Sequence, residues 1–291
     1  MAQAWKCAGL RWSAEGPELT WDGGRRSPLS WGKRISFAVV DGGVRECAGA
    51  RGHACPRRVV VPGRGAGGRC EECARLDRAH SVAADRVADD PRPYRVYLAW
   101  FGPGLVKVGI TAVERGSVRL LEQGAVCFSW LGSGPLMAAR RTEELLRAAL
   151  RVPDRIPYAV KRAVRAALPE AEAERAEEIR EVYARAVELG GWPESLERSP
   201  FRPVDHVRAF GLAGAPPALG EVGELVPGGA VSGELVAAAG PDLHLATPGG
   251  VVVLDTRLMR GWQLVPVAGG EPAFPVRHFE VAADHRQDGL F

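Results

Sequence analysis

Two apolar runs, Val96–Trp100 and Leu105–Thr111, flank the tetrapeptide Phe101-Gly102-Pro103-Gly104. A glycine- and proline-rich turn between two runs of strand length commits residues 96–111 to a β-hairpin. Side chains alternate across a strand, so Arg95, Tyr97 and Ala99 fall on one face and Val96, Leu98 and Trp100 on the other. Lys107 and Gly109 share one side of the second strand, where a residue without a side chain lets a backbone or ligand approach closely. A helix follows, on which Arg115 and Arg119 are four apart and share a face. Ala125–Leu131 then reads as a third strand. The next helix, AARRTEELLRAAL, carries an apolar stripe of Leu145, Leu146, Ala149 and Leu150, with Glu143 or Glu144 at its edge. Tyr97, Lys107, Gly109 and Arg119 on one face of a small α/β unit suit the handling of a phosphodiester.

A chain of 291 residues holds two or three compact units, and 46% hydrophobic with 25% charged residues is ordinary for a globular protein. The net charge of +3 does not announce nucleic-acid binding, but four lysines leave 34 of the 38 cationic side chains as arginine. Arginine forks match phosphates in a bidentate way, and a GC-rich genome yields the same excess. No apolar run approaches the ~18 residues that span a bilayer, and the first residues lack a signal-peptide core, so a cytoplasmic location without membrane contact is expected.

Cys47-x7-Cys55-x14-Cys70-x2-Cys73 places four thiols within 27 residues. In a reducing compartment such crowding points to metal rather than disulfides, and the expected occupant is Zn2+ in a closed tetrahedral structural site. His53 competes with Cys47 for one ligand position. Arg51, Arg57, Arg58, Arg64 and Arg69 surround the cluster and would face solvent or phosphates. PGRGAGGR inside it lacks the Lys-Ser/Thr of a phosphate loop. His206, His244, His278 and His285 make no metal spacing, and Asp284 with His285 reads as surface. Trp5, Trp12, Trp21 and Trp31 recur in short N-terminal strands, where core packing competes with base stacking.

Tyr97, then Lys107–Thr111 (KVGIT), then Arg119, then a helical glutamate resembles the GIY-YIG endonuclease superfamily, most closely the branch in which lysine replaces the second tyrosine. The resemblance covers about sixty residues. It implies a three-stranded sheet with flanking helices that cuts one phosphodiester strand with one divalent metal, Mg2+ or Mn2+. On that reading Tyr97 assists proton removal from water, Lys107 holds the phosphate, Arg119 stabilises its growing charge, and Glu143 ligates the metal, with Glu144 as competitor. Arg95-Val96-Tyr97 replaces the usual Gly-Ile-Tyr, and the chain has no asparagine. The whole chain is also similar to an uncharacterised bacterial family, a domain of unknown function, that combines the cysteine cluster, VYLA…KVGIT…QGA and SGELVAAAGPDLHLATPGGVVVLDTR.

The expected fold is α+β. Residues 1–45 form an N-terminal β segment, 46–93 the cysteine cluster and a connector with one helix over 76–93, 94–198 the α/β unit with trailing helices over 155–190, and 199–291 a β-rich meander or barrel that pairs with the N-terminal strands. The charge run of the trailing helices reads as a solvated face. The expected function is nucleic-acid processing on DNA or RNA by a metal-dependent endonuclease. The alternatives are a non-catalytic nucleic-acid-binding protein of the same fold and a protein-interaction scaffold.

Overall fold

The computed structural model describes residues 3–79, 90–268 and 274–279. Asp284 and His285, and most of the connector expected over 76–93, lie outside them. The protein is mixed α+β and mostly sheet. In chain order, β1 (Trp5–Ser13), β2 (Gly16–Trp21), β3 (Arg26–Pro28) and β4 (Arg34–Val39) precede α1 (Glu71–Ala79). Then come β5 (Pro93–Trp100), β6 (Val106–Ala112), α2 (Val118–Gln123), β7 (Cys127–Pro135), α3 (Leu136–Leu150), α4 (Tyr158–Val164) and α5 (Glu172–Val187). The two-residue strands β8 (Glu197–Arg198) and β9 (Val204–Asp205) lead into β10 (Ala218–Val222), β11 (Ala230–Ala239), β12 (Asp242–Thr247), β13 (Gly250–Asp255), β14 (Gln263–Pro266) and β15 (Val276–His278).

Two sheets result. One has ten strands in the order β15-β10-β13-β12-β11-β4-β14-β1-β2-β3, an open path rather than a closed barrel. Within it β4 pairs antiparallel with both β11 and β14, and β1 pairs with β14, so the two ends of the chain are interleaved. Trp12 is buried in its core, with the indole N–H donating to the Gly240 carbonyl at 2.7 Å, while Trp31 stays largely exposed.

The second sheet runs β6-β5-β7-β8, with β9 also on β7. It has five strands where three are expected, because the chain returning from α5 adds two short pairings to β7. β5 is buried on both faces, which explains its nearly unbroken apolar sequence. Tyr94, Val96, Leu98 and Trp100 pack against α3 and α5, and Tyr97, Ala99 and Phe101 form a separate cluster with Leu120, Phe128 and Ile156. The hairpin turn closes with Leu105 N–H on the Gly102 carbonyl, and the Glu178 carboxylate of α5 accepts the Gly104 N–H at 3.0 Å. Most of the other charges of α5 face solvent.

Several local expectations change. The helix expected over 155–190 is two, α4 and α5, because Pro169 forces Leu168 out of the helical region (ψ 129). Arg175 braces that break by donating to the carbonyls of Pro169 and Glu170. Arg115 lies in a 3-10 turn before α2, not on the helix with Arg119, yet both guanidiniums reach Glu122, at 2.6 and 3.7 Å. On α3 the buried stripe is Leu136, Ala139, Thr142 and Leu146, whereas Ala149 is exposed. Among the described residues no helix is long and apolar enough to cross a membrane.

Candidate functional site

Among the described residues, the sequence-expected site residues fall at two places, one on the second sheet and one at the cysteines. On the sheet, Tyr97 of β5 stands opposite Gly109 of β6. Its ring lies across the glycine, so what approaches Gly109 is a side chain of the protein itself. A Cβ at Gly109 would meet the Tyr97 ring 2.5 Å from Cζ, which only glycine avoids. Gln123, the last residue of α2, donates from Nε2 to the Tyr97 hydroxyl at 2.8 Å. The Lys107 ammonium lies 5.7 Å from the centre of the Tyr97 ring and donates to the Asp154 carbonyl at 2.9 Å.

Arg119 and Glu143 complete the neighbourhood. Burial raises the proton affinity of Tyr97, the Gln123 hydrogen bond and Arg119 lower it, and Glu143 raises it again. Burial also drops Lys107 to about 8, with Arg119 pushing the same way and Glu143 opposing. Glu143 is half-buried on α3, and desolvation lifts its carboxyl above the ordinary range while Lys107 pulls it back. Glu144, by contrast, is 69% exposed and bonded to Arg147 at 2.9 Å, on the outer side of α3. Arg119 of α2 and Glu143 of α3 therefore both act on Tyr97 and Lys107, which stand on neighbouring strands.

The site is covered. Tyr97 is only 2% exposed and Lys107 8%, because residues 153–165 lie over this face of the sheet. Pro153 accepts the Val108 N–H, Ile156 joins the Tyr97 cluster, and the Tyr158 hydroxyl donates to the Glu122 carbonyl. The Lys161 side-chain nitrogen donates to the Gln123 carbonyl at 3.0 Å and sits 3.7 Å from the centre of the Phe101 ring. Burial lowers this amine to about 6. Sequence reasoning missed Gln123, Tyr158 and Lys161. One signal was available for the last. Lys107 and Lys161 are two of only four lysines in an arginine-rich chain, and both sit against Tyr97's surroundings.

At the other cluster, the sulfurs of Cys47, Cys55, Cys70 and Cys73 all lie within 4.8 Å of one another. Four sulfurs at about 2.3 Å from one zinc are about 3.8 Å apart, so the donor set can hold a tetrahedral ion such as zinc. The Gly49 and Cys70 N–H groups donate to the Cys47 sulfur, as expected around thiolates. Backbone hydrogen bonds pull the Cys55 thiol down to about 7, while burial pushes Cys73 up. His53 is exposed at the Ala50–His53 turn and is not among the four donors, which removes it as the alternative to Cys47. Of the five nearby arginines, three are paired within the protein, Arg57 with Glu72, Arg58 with Glu46 and Arg69 with Asp77. Arg51 and Arg64 are exposed.

The profile of the family described as "Protein of unknown function (DUF2797)" matches residues 32–264. The chain belongs to this family. Comparison with curated proteins and with solved structures returns no match. The DUF2797 match takes in the cysteine cluster, the whole second sheet with the Tyr97 site, the covering segment and β10 to β13, but not β1 to β3. The shared unit therefore includes strands of both sheets and every residue of both clusters.

A buried arginine ties the cysteine cluster to the first sheet. Arg45, 2% exposed, donates to the main-chain carbonyls of Pro62, Gly65, Arg257 and Arg260 at 2.8–3.0 Å. Its charge is spread over backbone oxygens rather than a carboxylate, a job that the five donors of a guanidinium can do and an ammonium cannot.

Proposed function

We propose that this DUF2797 protein is a nucleic-acid-processing enzyme with a GIY-YIG-like core that hydrolyses phosphodiesters with the help of a divalent metal. The observation that carries this reading is that a guanidinium from α2 and a carboxylate from α3 both act electrostatically on the phenol of β5 and the ammonium of β6, which share one face of the sheet. The order of elements supports it too: strand, strand, helix with arginine, strand, helix with glutamate.

Each residue has a task its environment suits. Gln123 donates to the Tyr97 oxygen, which fixes its orientation and stabilises the phenolate, the form of Tyr97 that would accept a proton from an attacking water. Arg119, 44% exposed and shared with Glu122, is free to turn its fork to a non-bridging phosphate oxygen. Lys107 adds positive charge beneath the phosphate. Glu143 would hold Mg2+ or Mn2+, ions that take one or two protein carboxylates and complete their shell with water and substrate phosphate. When bound, such an ion supplies Lewis-acid stabilisation of the phosphoryl charge. The cysteine cluster is read as a structural Zn2+ site that folds a segment poor in apolar residues.

Purified protein with Mg2+ or Mn2+ should nick DNA or RNA. Tyr97→Phe, Arg119→Ala and Glu143→Gln should each reduce the rate by about 10²–10³-fold, the size of losing one transition-state contact. Nicking that survives all three changes rejects the assignment. A second reading, a binder that keeps the fold without catalysis, is favoured by the burial of Tyr97 and by the Asp154 carbonyl on Lys107. Salt-sensitive binding without any nicking would select it.

A further inference from the structure

We propose that residues 153–165, the covering segment with α4, are an autoinhibitory strap that must swing off the Tyr97 face before a phosphodiester can reach it. The proposal rests on the phosphodiester reading for the meaning of the site, but the movement is tested independently of any activity.

The strap competes for the groups a substrate would need. The Asp154 carbonyl takes the Lys107 ammonium, and Lys161 and Tyr158 bond to the carbonyls of Gln123 and Glu122 at the end of α2. A bound phosphate must displace the first contact to touch Lys107. Tyr97 is sealed from the same side, with Ile156 in its cluster.

How the strap is held distinguishes it from the core. Between 153 and 165 the only buried aliphatic side chain is Ile156; Val160 is 42% exposed. The anchors are polar. Arg162 donates to Asp242 at 2.6 Å and to Glu221 at 2.9 Å, and it also bonds Asp255. Arg165 donates to the second oxygen of Asp242 at 3.0 Å, and Arg257, itself bonded to Asp255, stacks 4.2 Å from the centre of the Tyr158 ring. Asp242 is 0% exposed, so this cluster is a latch between α4 and the β12–β13 hairpin. Lifting the strap gives up the burial of Ile156 and the cover over Tyr97, opens Asp242 and Asp255 to water, and frees the Arg162 and Arg165 guanidiniums for water or phosphates. Both flanks are irregular: Arg151 has a positive φ (57), and Leu168-Pro169 ends the short helical run.

The test weakens the latch and watches the strap. In Asp242→Asn, hydrogen exchange across 153–165 should quicken at least about tenfold while β11 to β13 keep their protection, the behaviour of a local opening. Tyr97 should then become open to tetranitromethane, read by mass spectrometry against Tyr94 and Tyr183. If Asp242→Asn does not fold, Tyr158→Phe combined with Lys161→Met removes strap contacts to α2 while leaving Asp242 intact, and the same readings apply. Unchanged strap exchange, or exchange that rises only together with the whole sheet, overturns the proposal. Opening accompanied by faster nicking supports both strap and enzyme. Opening without nicking keeps the strap and removes the enzyme.

Discussion

Gly109→Ala probes the Tyr97 site most directly. The added Cβ would lie 2.5 Å from Tyr97 Cζ and 3.0 Å from Cε2, closer than carbon atoms approach, so the ring must tilt off β6. Gly109 has no left-handed backbone, so the cost is purely steric. Overpacking a filled core costs about 1–3 kcal/mol. Tilting the ring also breaks the hydrogen bond from Gln123, whose amide is buried, at about 1–2 kcal/mol more. The sum, roughly 2–5 kcal/mol, should lower the melting temperature by roughly 3–8 °C for a chain of this size. Urea unfolding followed by tryptophan fluorescence reads it directly. The decisive control is a double-mutant cycle. In a Tyr97→Ala background there is no ring to strike, so Gly109→Ala should become nearly neutral or slightly stabilising, giving a coupling of about 2 kcal/mol or more. Additive costs in the two backgrounds would refute the idea that Tyr97 is what requires glycine at 109.

Four further outcomes follow from the same contacts. Metal analysis should find one zinc per chain, lost in Cys70→Ser together with the fold of residues 46–79; substoichiometric metal that is indifferent to that change would reject the site. Arg45→Met should destabilise by about 3 kcal/mol or more, since it strands several buried carbonyls, whereas a cost below about 1 kcal/mol in urea titrations would show that water replaces the guanidinium. Burial holds Lys161 near 6 against an ordinary 10.5. Between these values the unfolded chain binds the extra proton, so stability should rise with pH, by up to about 1.4 kcal/mol per unit. Lys161→Met should flatten the increase between pH 7 and 9, and an identical slope in both proteins would refute the neutral-amine assignment. Glu144→Gln should leave stability within about 0.5 kcal/mol of wild type, as befits an exposed partner of Arg147.

The hairpin and its neighbours were legible because their signals are local. A Gly-Pro-Gly turn between alternating apolar runs, or a CxxC closing four clustered cysteines, needs no knowledge of distant residues. The division of α4 from α5 was equally available at Pro169, but an alanine- and arginine-rich composition on both sides of the proline reads as one continuous helix. The choice between Glu143 and Glu144 was not legible, since both lie at the edge of α3's apolar stripe until β6 and the strap bury one of them. The same holds for Gln123, which meets Tyr97 once α2 packs on the sheet, and for Tyr158 and Lys161, which reach the end of α2 only after α4 folds back from the far end of α3. Nothing in the local pattern around Arg162 announces that its partners are Asp242 and Asp255, about eighty and ninety residues away.

The interleaving of β4 between β11 and β14 sets a constraint on synthesis. When β4 has been synthesised it has no neighbour in the first sheet: β11 is complete only near residue 239 and β14 near residue 266. The second sheet, whose strands all lie between 93 and 205, can close meanwhile. The nascent chain thus carries an unpaired N-terminal ribbon past an already formed α/β unit and waits for its last third. A protein truncated before β11 should leave β4 permanently exposed, and holdase chaperones would be its natural company until translation ends.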